Sequence, residues 1–291
     1  CGAVPHFADV EENTLGLDPG KLDSYLGSIM DRSCLPRIVN KHTGREIRAV
    51  ICVHAFGHPA DLDDLLEVCQ RYGLTLIEDA AESLGSFYRG HHTGNHGKLA
   101  ALSFNGNKIV TTGGGGAVLT NDERLGKQAK HLTTTAKVLH PWRYSHDKVG
   151  FNYRMPNLNA ALGCSQLEDL DHFLRDKRKL AQSYSDVFSD IPGVSFFKEP
   201  SNCRSNYWLN NLILDPMLAN DRDKLLDQCN EAGIMVRPAW EPMHSLPPFQ
   251  GYPQGCLSTT DNLTKRLISI PSSSSLRLPM LQKAKGKNTN G

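Results

Sequence analysis

A single lysine, Lys108, stands in the stretch S-F-N-G-N-K-I-V-T-T-G-G-G-G, among residue types that often bind phosphate. A phosphate-binding P-loop has the pattern G-x-x-x-x-G-K-[ST], in which backbone N–H groups and the lysine converge on a nucleotide phosphate. Here Asn107 precedes Lys108, Ile109 follows it, and the glycines come afterwards. The dinucleotide pattern G-x-G-x-x-G also fails, because the glycines lead into the strand-like G-A-V-L-T rather than into a helix. Both nucleotide-binding loops are therefore excluded for this stretch.

A carboxylate upstream supplies the second reactive group. E-D-A-A-E ends the strand-like run L-T-L-I, which places Asp79 29 residues before Lys108 (108 − 79). In open α/β sheets, ligands bind beyond the carboxyl ends of the strands. Pyridoxal phosphate needs a lysine that forms a Schiff base with its aldehyde and a carboxylate that keeps its pyridine nitrogen protonated. Alone, Asp79 could cap a helix and Lys108 could be solvated, but together they favour this cofactor.

The elements that must position these residues alternate between strands and helices. A-V-I-C-V-H from Ala49 reads as a strand, and Gly73 is well placed to end the helix that follows. The apolar residues of that helix recur at the spacing of one face: Leu62, Leu65, Leu66, Cys69 and Tyr72. Further strands are predicted at L-T-L-I-E-D-A, L-A-A-L-S-F, G-A-V-L-T-N and, earlier, P-H-F-A-D-V. This repetition predicts an α/β fold with a mostly parallel sheet and flanking helices.

The chain divides into three predicted regions. Residues 1–156 read as a large domain that binds the cofactor. Residues 157–276 begin with a long bridging helix and continue as a smaller C-terminal α+β domain. Residues 277–291 lose all hydrophobic periodicity, so they are predicted to be a disordered tail.

Composition excludes several classes of partner. The 32 basic and 31 acidic residues leave a formal net charge of +1, so neither nucleic acid nor an anionic membrane surface is expected as a partner. The eight cysteines contain no C-x-x-C pair, and we interpret them as reduced thiols of a cytoplasmic protein. The histidine-rich H-H-T-G-N-H-G offers no helical i, i+4 pair, so no metal site is expected there.

Longer blocks of the sequence resemble a known family. They are G-A-V-P-H-F-A-D-V, L-I-E-D-A-A-E-S-L-G-S-F-Y-R-G-H-H-T-G, S-F-N-G-N-K-I-V-T-T-G-G-G-G-A-V-L-T-N-D, G-F-N-Y-R-M-P-N-L-N-A-A-L-G and R-P-A-W-E-P-M-H. In this order they resemble the DegT/DnrJ/StrS sugar-nucleotide aminotransferases, which have the aspartate aminotransferase-like fold of fold type I pyridoxal phosphate enzymes. The wording around the lysine looks most like members that aminate C4 of UDP-linked 4-keto-6-deoxy sugars on routes to nonulosonic acids.

The resemblance implies a role for each matching residue. Lys108 would be the Schiff-base lysine and the later proton carrier, and Asp79 would be the partner of the pyridine nitrogen. Glu82 would face the cofactor ring and its 3′-oxygen, where many members have Gln or His. Ser103 would donate to the cofactor phosphate, and Asn152 would reach that phosphate from the neighbouring subunit.

The resemblance also implies partners and substrates. Asn105, Arg154 and His244 match positions near the sugar. A homodimer with shared active sites is implied, with L-glutamate as the expected amino donor. A cyclitol or other ring ketone is an alternative substrate, since the same machinery serves it.

One departure from the family concerns the N-terminal side. Relatives carry further chain before the position that matches Cys1, and that part supplies a strand and a phosphate-binding turn. The first part of the large domain is therefore expected to be missing. This leaves a second hypothesis open, a truncated, non-catalytic relative that acts as a binding or interaction protein or is an incomplete gene product.

Overall fold

The computed structural model describes residues 2–276 of the chain. The α-helices in this range are α1 (Pro19–Ile29), α2 (Leu62–Tyr72), α3 (Glu123–Thr133), α4 (Asn157–Glu168), α5 (Leu170–Phe188), α6 (Arg222–Glu231) and α7 (Ser258–Thr264). The strands are β1 (Ala49–Val53), β2 (Thr75–Asp79), β3 (Phe87–Tyr88), β4 (His91–His92), β5 (Leu99–Ser103), β6 (Gly116–Leu119), β7 (Val194–Phe196), β8 (Cys203–Arg204), β9 (Asn210–Leu214), β10 (Arg237–Pro238) and β11 (Leu267–Ile270). The disordered tail predicted at 277–291 lies outside the described residues.

The first sheet has the strand order β1-β2-β5-β6. β1 pairs with β2, and β2 with β5, in parallel, whereas β6 runs antiparallel to β5. The predicted α/β class with a mostly parallel sheet is thereby confirmed. Because β2 and β5 are parallel neighbours, their carboxyl ends meet at one edge of the sheet.

Helix α2 connects β1 to β2 and shows why the local pattern was sufficient to predict it. Asp63 and Asp64 lie in its first turn, where carboxylates interact favourably with the helix dipole. Gly73 ends the helix in the left-handed conformation, at φ 62°, which a residue without Cβ adopts without strain. The buried residues of the helix are Leu62, Leu65, Val68 and Cys69. They pack against the sheet and fix the start of β2.

The second sheet has the order β10-β11-β9-β7, and all its pairings are antiparallel. Its core includes residues from helices α5 and α6, such as Leu180, Tyr184 and Leu226. The helical pattern that begins at 157 is divided at Asp169, so the expected single bridging helix is two consecutive helices, α4 and α5. The domain boundary at 156 stays a prediction.

Several contacts join the parts of the chain that carry these sheets. β3 pairs with β8 in a small third sheet, with Phe87 opposite Arg204. The N-terminal segment also reaches the C-terminal part, because the Asp9 carboxylate accepts hydrogen bonds from the N–H groups of Thr259 and Thr260.

The strand predicted at residues 5–10 is not formed. Phe7 and Val10 make only isolated bridges, with Gln254 and Leu17 respectively. Instead of extending the first sheet, Phe7 packs against the rings of Phe249 and His244, at centroid distances of 5.9 and 6.3 Å.

Two further observations concern the described range. No helix between residues 2 and 276 is both long enough and apolar enough to cross a membrane. The seven cysteines in the same range are all free thiols.

Candidate active site

The ends of two parallel strands place the predicted chemical groups. β2 ends at Asp79, which lies opposite Ala101 of β5 in the strand register. β5 ends two residues later, at Ser103, and Lys108 lies in the loop that leads from there to β6. The backbone N–H of Lys108 donates to the carbonyl of Asn105 at 3.1 Å, which closes a turn in this loop. Strand order therefore brings the carboxylate and the lysine to one edge of the sheet.

The glycines that end this loop are required by close packing. A Cβ at Gly116 would lie 2.4 Å from the carbonyl oxygen of Leu102, which no side chain could tolerate without movement of the backbone. Gly115 has φ 142°, in the region that favours glycine. The four-glycine stretch thus lets the chain return tightly against β5.

The side chain of Lys108 lies between an acid and an aromatic ring. Its Nζ is 3.8 Å from Oε1 of Glu82 and 4.0 Å from the centroid of the Trp208 ring. Only 13% of the Lys108 side chain and 17% of the Glu82 side chain are exposed. An ammonium group over an indole face gains a cation–π interaction, which is stronger when water is excluded.

Glu82 is held by the backbone that follows β1. The N–H of Phe56 donates to Glu82 Oε2 at 2.8 Å. Burial raises the pKa of Glu82, and the negative charge of Asp79 adds to this, whereas the Phe56 N–H and the charge of Lys108 act in the opposite direction. Phe56 itself has a φ of 59°, an uncommon value for an aromatic residue, and this conformation aims its N–H at the acid.

A stack of aromatic rings supports the lysine. The Trp208 and Trp240 rings are parallel within 3° at a centroid distance of 6.0 Å, and Trp240 also stacks with Phe56 at 5.5 Å. The indole Nε1 of Trp208 donates to the carbonyl of Asn107 at 2.8 Å, which ties the ring to the loop that carries Lys108. No local pattern in the sequence indicates the contact between Trp208 and Lys108.

A second buried acid, Glu78, fixes the strand that ends in Asp79. Its two carboxylate oxygens accept hydrogen bonds from the N–H groups of Gly94, His96 and Gly97 at 2.6 to 2.8 Å. Burial alone would raise the pKa of Glu78, but hydrogen bonds from His54 and from these backbone groups outweigh it and lower the pKa to about 2. The side chain is therefore an ionised carboxylate that clamps the histidine-rich loop against β2.

The ring of His54 completes this clamp. Its Nδ1 accepts the N–H of Ala60 at 3.1 Å, so the ring proton lies on Nε2, which faces Glu78 at 3.0 Å. The sequence pattern did not identify Glu78, although its alternation with Leu76 in L-I-E-D places it on the buried face of β2.

The remaining predicted site residues fall into three places. Ser103 accepts the N–H of Asn105 at 3.3 Å at the start of the Lys108 loop. Asn152 and Arg154 are exposed and bonded to each other, Nε to Oδ1, at 3.2 Å. His244 bonds to Asp261 at 3.1 Å, on another segment. Within residues 2–276, no hydrogen bond or ion pair joins Asn152, Arg154 or His244 to Lys108.

The groups at the sheet edge fit pyridoxal phosphate by their chemistry. A sheltered lysine amine, a carboxylate at a neighbouring strand end and a serine hydroxyl on the same loop are the groups that this cofactor requires. Within residues 2–276, no three His, Cys, Asp or Glu side chains are grouped so that they could hold a metal ion.

The chain matches the DegT/DnrJ/EryC1/StrS aminotransferase family over residues 1–283. It is 35% identical over 280 residues to the putative pyridoxal phosphate-dependent aminotransferase EpsN of Bacillus subtilis, covering 94% of this chain and 68% of EpsN. It is 33% identical over 279 residues to the GDP-perosamine synthase of Escherichia coli O157:H7, covering 94% of this chain and 69% of that enzyme.

Among solved structures, DesI in the presence of its TDP-sugar product superposes with a TM-score of 0.84 at 26% identity. The superposition covers 98% of this chain and 68% of DesI. The chain thus spans about two thirds of the length of these similar proteins.

Proposed function

Because this chain belongs to the DegT/DnrJ/EryC1/StrS aminotransferase family of pyridoxal phosphate-dependent enzymes, we propose that it aminates a nucleotide-linked keto sugar. The substrate that we favour is a UDP-linked 4-keto-6-deoxy sugar, aminated at C4 on a route to a nonulosonic acid, with L-glutamate as donor. Amino transfer to a sugar agrees with the names of the similar proteins, among them GDP-perosamine synthase and DesI with its TDP-sugar product. The wording of the motif around Lys108 supports the keto sugar, and the family resemblance supports L-glutamate as donor.

The observation that carries this proposal is the sheltered Lys108 beside the strand end of Asp79. Lys108 would attach the cofactor, and Asp79 would keep the ring nitrogen protonated through a charge-assisted hydrogen bond. Ser103 would donate to the phosphate. Bound pyridoxal phosphate supplies an electron sink for the carbanion that forms when a C–H proton is removed. The free amine of Lys108 would carry that proton, while Trp208 and Glu82 exclude water and orient its Nζ.

We also propose a homodimer that shares its active sites. Phe151 and Tyr153 stack at 5.2 Å while 50% and 71% exposed, and they flank Asn152. Large exposed aromatic rings are typical of protein interfaces. A second copy of the chain is the occupant that we favour for this surface, since it would bring Asn152 to the partner's cofactor phosphate. The exposed Arg154 would then point to the partner's sugar.

Two alternatives remain. A cyclitol or another ring ketone could replace the sugar nucleotide. A non-catalytic relative that acts as a binding or interaction protein would keep the fold without the chemistry. Free thiols throughout residues 2–276 support our placement of the protein in the cytoplasm.

Cofactor binding and turnover test these possibilities in sequence. The protein with added pyridoxal phosphate should gain visible absorbance, and borohydride should fix the cofactor on Lys108, as mapped by mass spectrometry. Asp79→Asn should retain this label but lose amination by about 100-fold or more, the scale observed when one preorganised electrostatic group of an active site is removed. Absence of the Lys108 label would contradict an enzymatic role.

An amination assay with L-glutamate then distinguishes the substrates. The panel should contain UDP-, GDP- and TDP-linked 4-keto-6-deoxy sugars and a cyclitol ketone. Preference for the UDP sugar supports the proposal, and preference for the cyclitol supports the alternative.

A further inference from the structure

Glu82 and Lys108 form an acid–base pair that is largely withdrawn from solvent. Their nearest atoms, Oε1 and Nζ, are 3.8 Å apart, and less than a fifth of either side chain is exposed. At this distance and burial, the charge of Lys108 acts directly on Glu82. The pair is part of the site described above, but the sequence motifs give Glu82 no role in moving protons.

The two oxygens of Glu82 have different environments. Oε2 is occupied by the N–H of Phe56 at 2.8 Å. Oε1 faces Lys108 and accepts no hydrogen bond from another residue in the described range. Glu82 can therefore take a proton on the oxygen that faces the lysine without giving up the bond that holds it in place.

Lys108 also controls the charge of Glu82. Two titratable groups act on Glu82: Asp79 at the end of β2 and Lys108 on the loop after β5. Burial and the charge of Asp79 favour the protonated acid, whereas the charge of Lys108 and the Phe56 N–H favour the carboxylate. Loss of the Lys108 charge removes one of the two influences that keep Glu82 ionised. Proton release by Lys108 and proton uptake by Glu82 are thus coupled by the geometry.

We propose that Glu82 takes up the proton that Lys108 releases when its amine becomes neutral, and then holds it as a carboxylic acid. One N–H bond of the ammonium group breaks and one O–H bond forms on Oε1, so the net charge of the pair stays zero. The inference rests on the proposed function in one respect, since the Lys108 ammonium group must lose a proton before its nitrogen can bond to the aldehyde of the cofactor. A neutral acid can donate a hydrogen bond to an electron-rich ring oxygen, whereas a carboxylate can only accept one.

The first test leaves the cofactor out. Lys108→Met removes the cation while keeping a long side chain. At pH 7, the infrared spectrum of this variant should contain a carbonyl stretch of a protonated carboxyl group. The band should be absent from the wild-type protein and from the double variant Lys108→Met, Glu82→Gln. A folded Lys108→Met variant without the band overturns the proposal.

A matched control comes from the surface of the same sheet. Lys98 lies 2.9 Å from Asp122, with 52% of the lysine side chain exposed. Lys98→Met should produce no such band, because water stabilises the carboxylate that remains. The same band in this control would mean that loss of any lysine partner suffices, which overturns the proposed role of burial at Glu82.

A second measurement decides the question if Lys108→Met does not fold. Pyridoxal phosphate is added to wild-type and Glu82→Gln protein in weak buffer, and released protons are counted. Glu82→Gln should release about one more proton per chain, because its amide cannot store it. Equal release overturns the proposal. If neither protein changes the absorbance of pyridoxal phosphate, the proposed function fails, and the role of Glu82 then stands only if folded Lys108→Met shows the infrared band.

Discussion

The Nζ of Lys108 lies 4.0 Å from the centroid of the Trp208 ring, so a residue 100 positions later (208 − 108) orients the reactive amine. Trp208 is 4% exposed and donates its indole N–H to Asn107, immediately before the lysine. The second part of the chain therefore builds one wall of a site whose reactive groups all lie in the first part. This arrangement makes cofactor attachment dependent on correct packing between the two parts.

Substitution of Trp208 should reveal this dependence. Trp208→Leu removes a buried ring and a hydrogen bond, so we expect a loss of about 2–4 kcal/mol in the free energy of unfolding. Trp240→Leu is the matched control, because the Trp240 side chain is 60% exposed, and its cost should stay below about 1 kcal/mol. Urea denaturation measures both. Equal losses in the two variants would contradict the structural role of Trp208.

Ionisation of Glu78 should make the free energy of unfolding depend on pH in the acidic range. Its pKa is lowered to about 2 in the folded chain, below the ordinary value of 4.5. The stabilisation that the ionised Glu78 contributes is therefore complete above pH 4.5, and it is lost as the pH falls from there to about 2. The loss amounts to about 3 kcal/mol at about 1.4 kcal/mol per unit.

Glu78→Gln tests this assignment by thermal unfolding from pH 7 to pH 3. An amide nitrogen cannot accept the backbone N–H groups that the carboxylate accepts, so we expect a loss of about 2–4 kcal/mol at pH 7. The stability of this variant should also change less below pH 4.5. Glu67→Gln, which removes an exposed pair with Arg71, should cost at most about 1 kcal/mol. A Glu78→Gln variant as stable as the control would show that the carboxylate is dispensable.

Local patterns predicted the elements that hold the first sheet, and the strand-end rule placed Asp79 and Lys108 together. Such inferences succeed because helix α2 and strand β2 are determined by neighbouring residues, such as the apolar face of the helix and Gly73 at its end. Contacts between distant segments were not predictable, since their register depends on packing of the whole chain. The segment at 5–10 illustrates this limit. Its residue pattern fits a strand, but in the structure Phe7 forms only an isolated β-bridge with Gln254.

The candidate site likewise combines residues that local patterns predict with residues that depend on contacts between distant segments. The motifs indicated Glu82 and Ser103, whose positions relative to Lys108 follow from two strand ends. Trp208 and the Phe56 N–H could not be inferred, because one comes from the second part of the chain and the other depends on an uncommon backbone conformation. The carboxylate of Glu78 was detectable in principle, as a charged residue on the buried face of a strand.

His58 should make the chain sensitive to mild acid. The ring is fully buried against Phe197 and Tyr207, and neither nitrogen has a hydrogen-bond partner in the described range. Burial lowers the pKa of His58 to about 3 from the ordinary 6.5. The unfolded chain therefore binds a proton below pH 6.5 that the folded chain does not bind until about pH 3. Stability falls as the pH decreases through this window, by about 2 kcal/mol between pH 6.5 and pH 5.

His58→Leu removes this proton linkage, so its unfolding free energy should change less between pH 7 and pH 5 than that of the wild type. His42→Leu is the control, because His42 is exposed and its replacement should leave the wild-type slope intact. Urea denaturation at several pH values gives the slopes. Parallel curves for wild-type and His58→Leu protein would mean that another group causes the acid sensitivity.

The exposed aromatic pair Phe151 and Tyr153 should decide the oligomeric state. Tyr153→Asp would place a carboxylate in an apolar contact between two copies, where desolvation of the charge is costly. We expect wild-type protein to sediment as a dimer and Tyr153→Asp as a monomer, with a dissociation constant at least about 100-fold higher. Met217→Ser is the matched control, since Met217 is 92% exposed on the short helix Pro216–Asp221, and it should leave the dimer unchanged. A dimer that survives Tyr153→Asp would place the interface elsewhere, and Asn152 could then not reach the partner's cofactor phosphate.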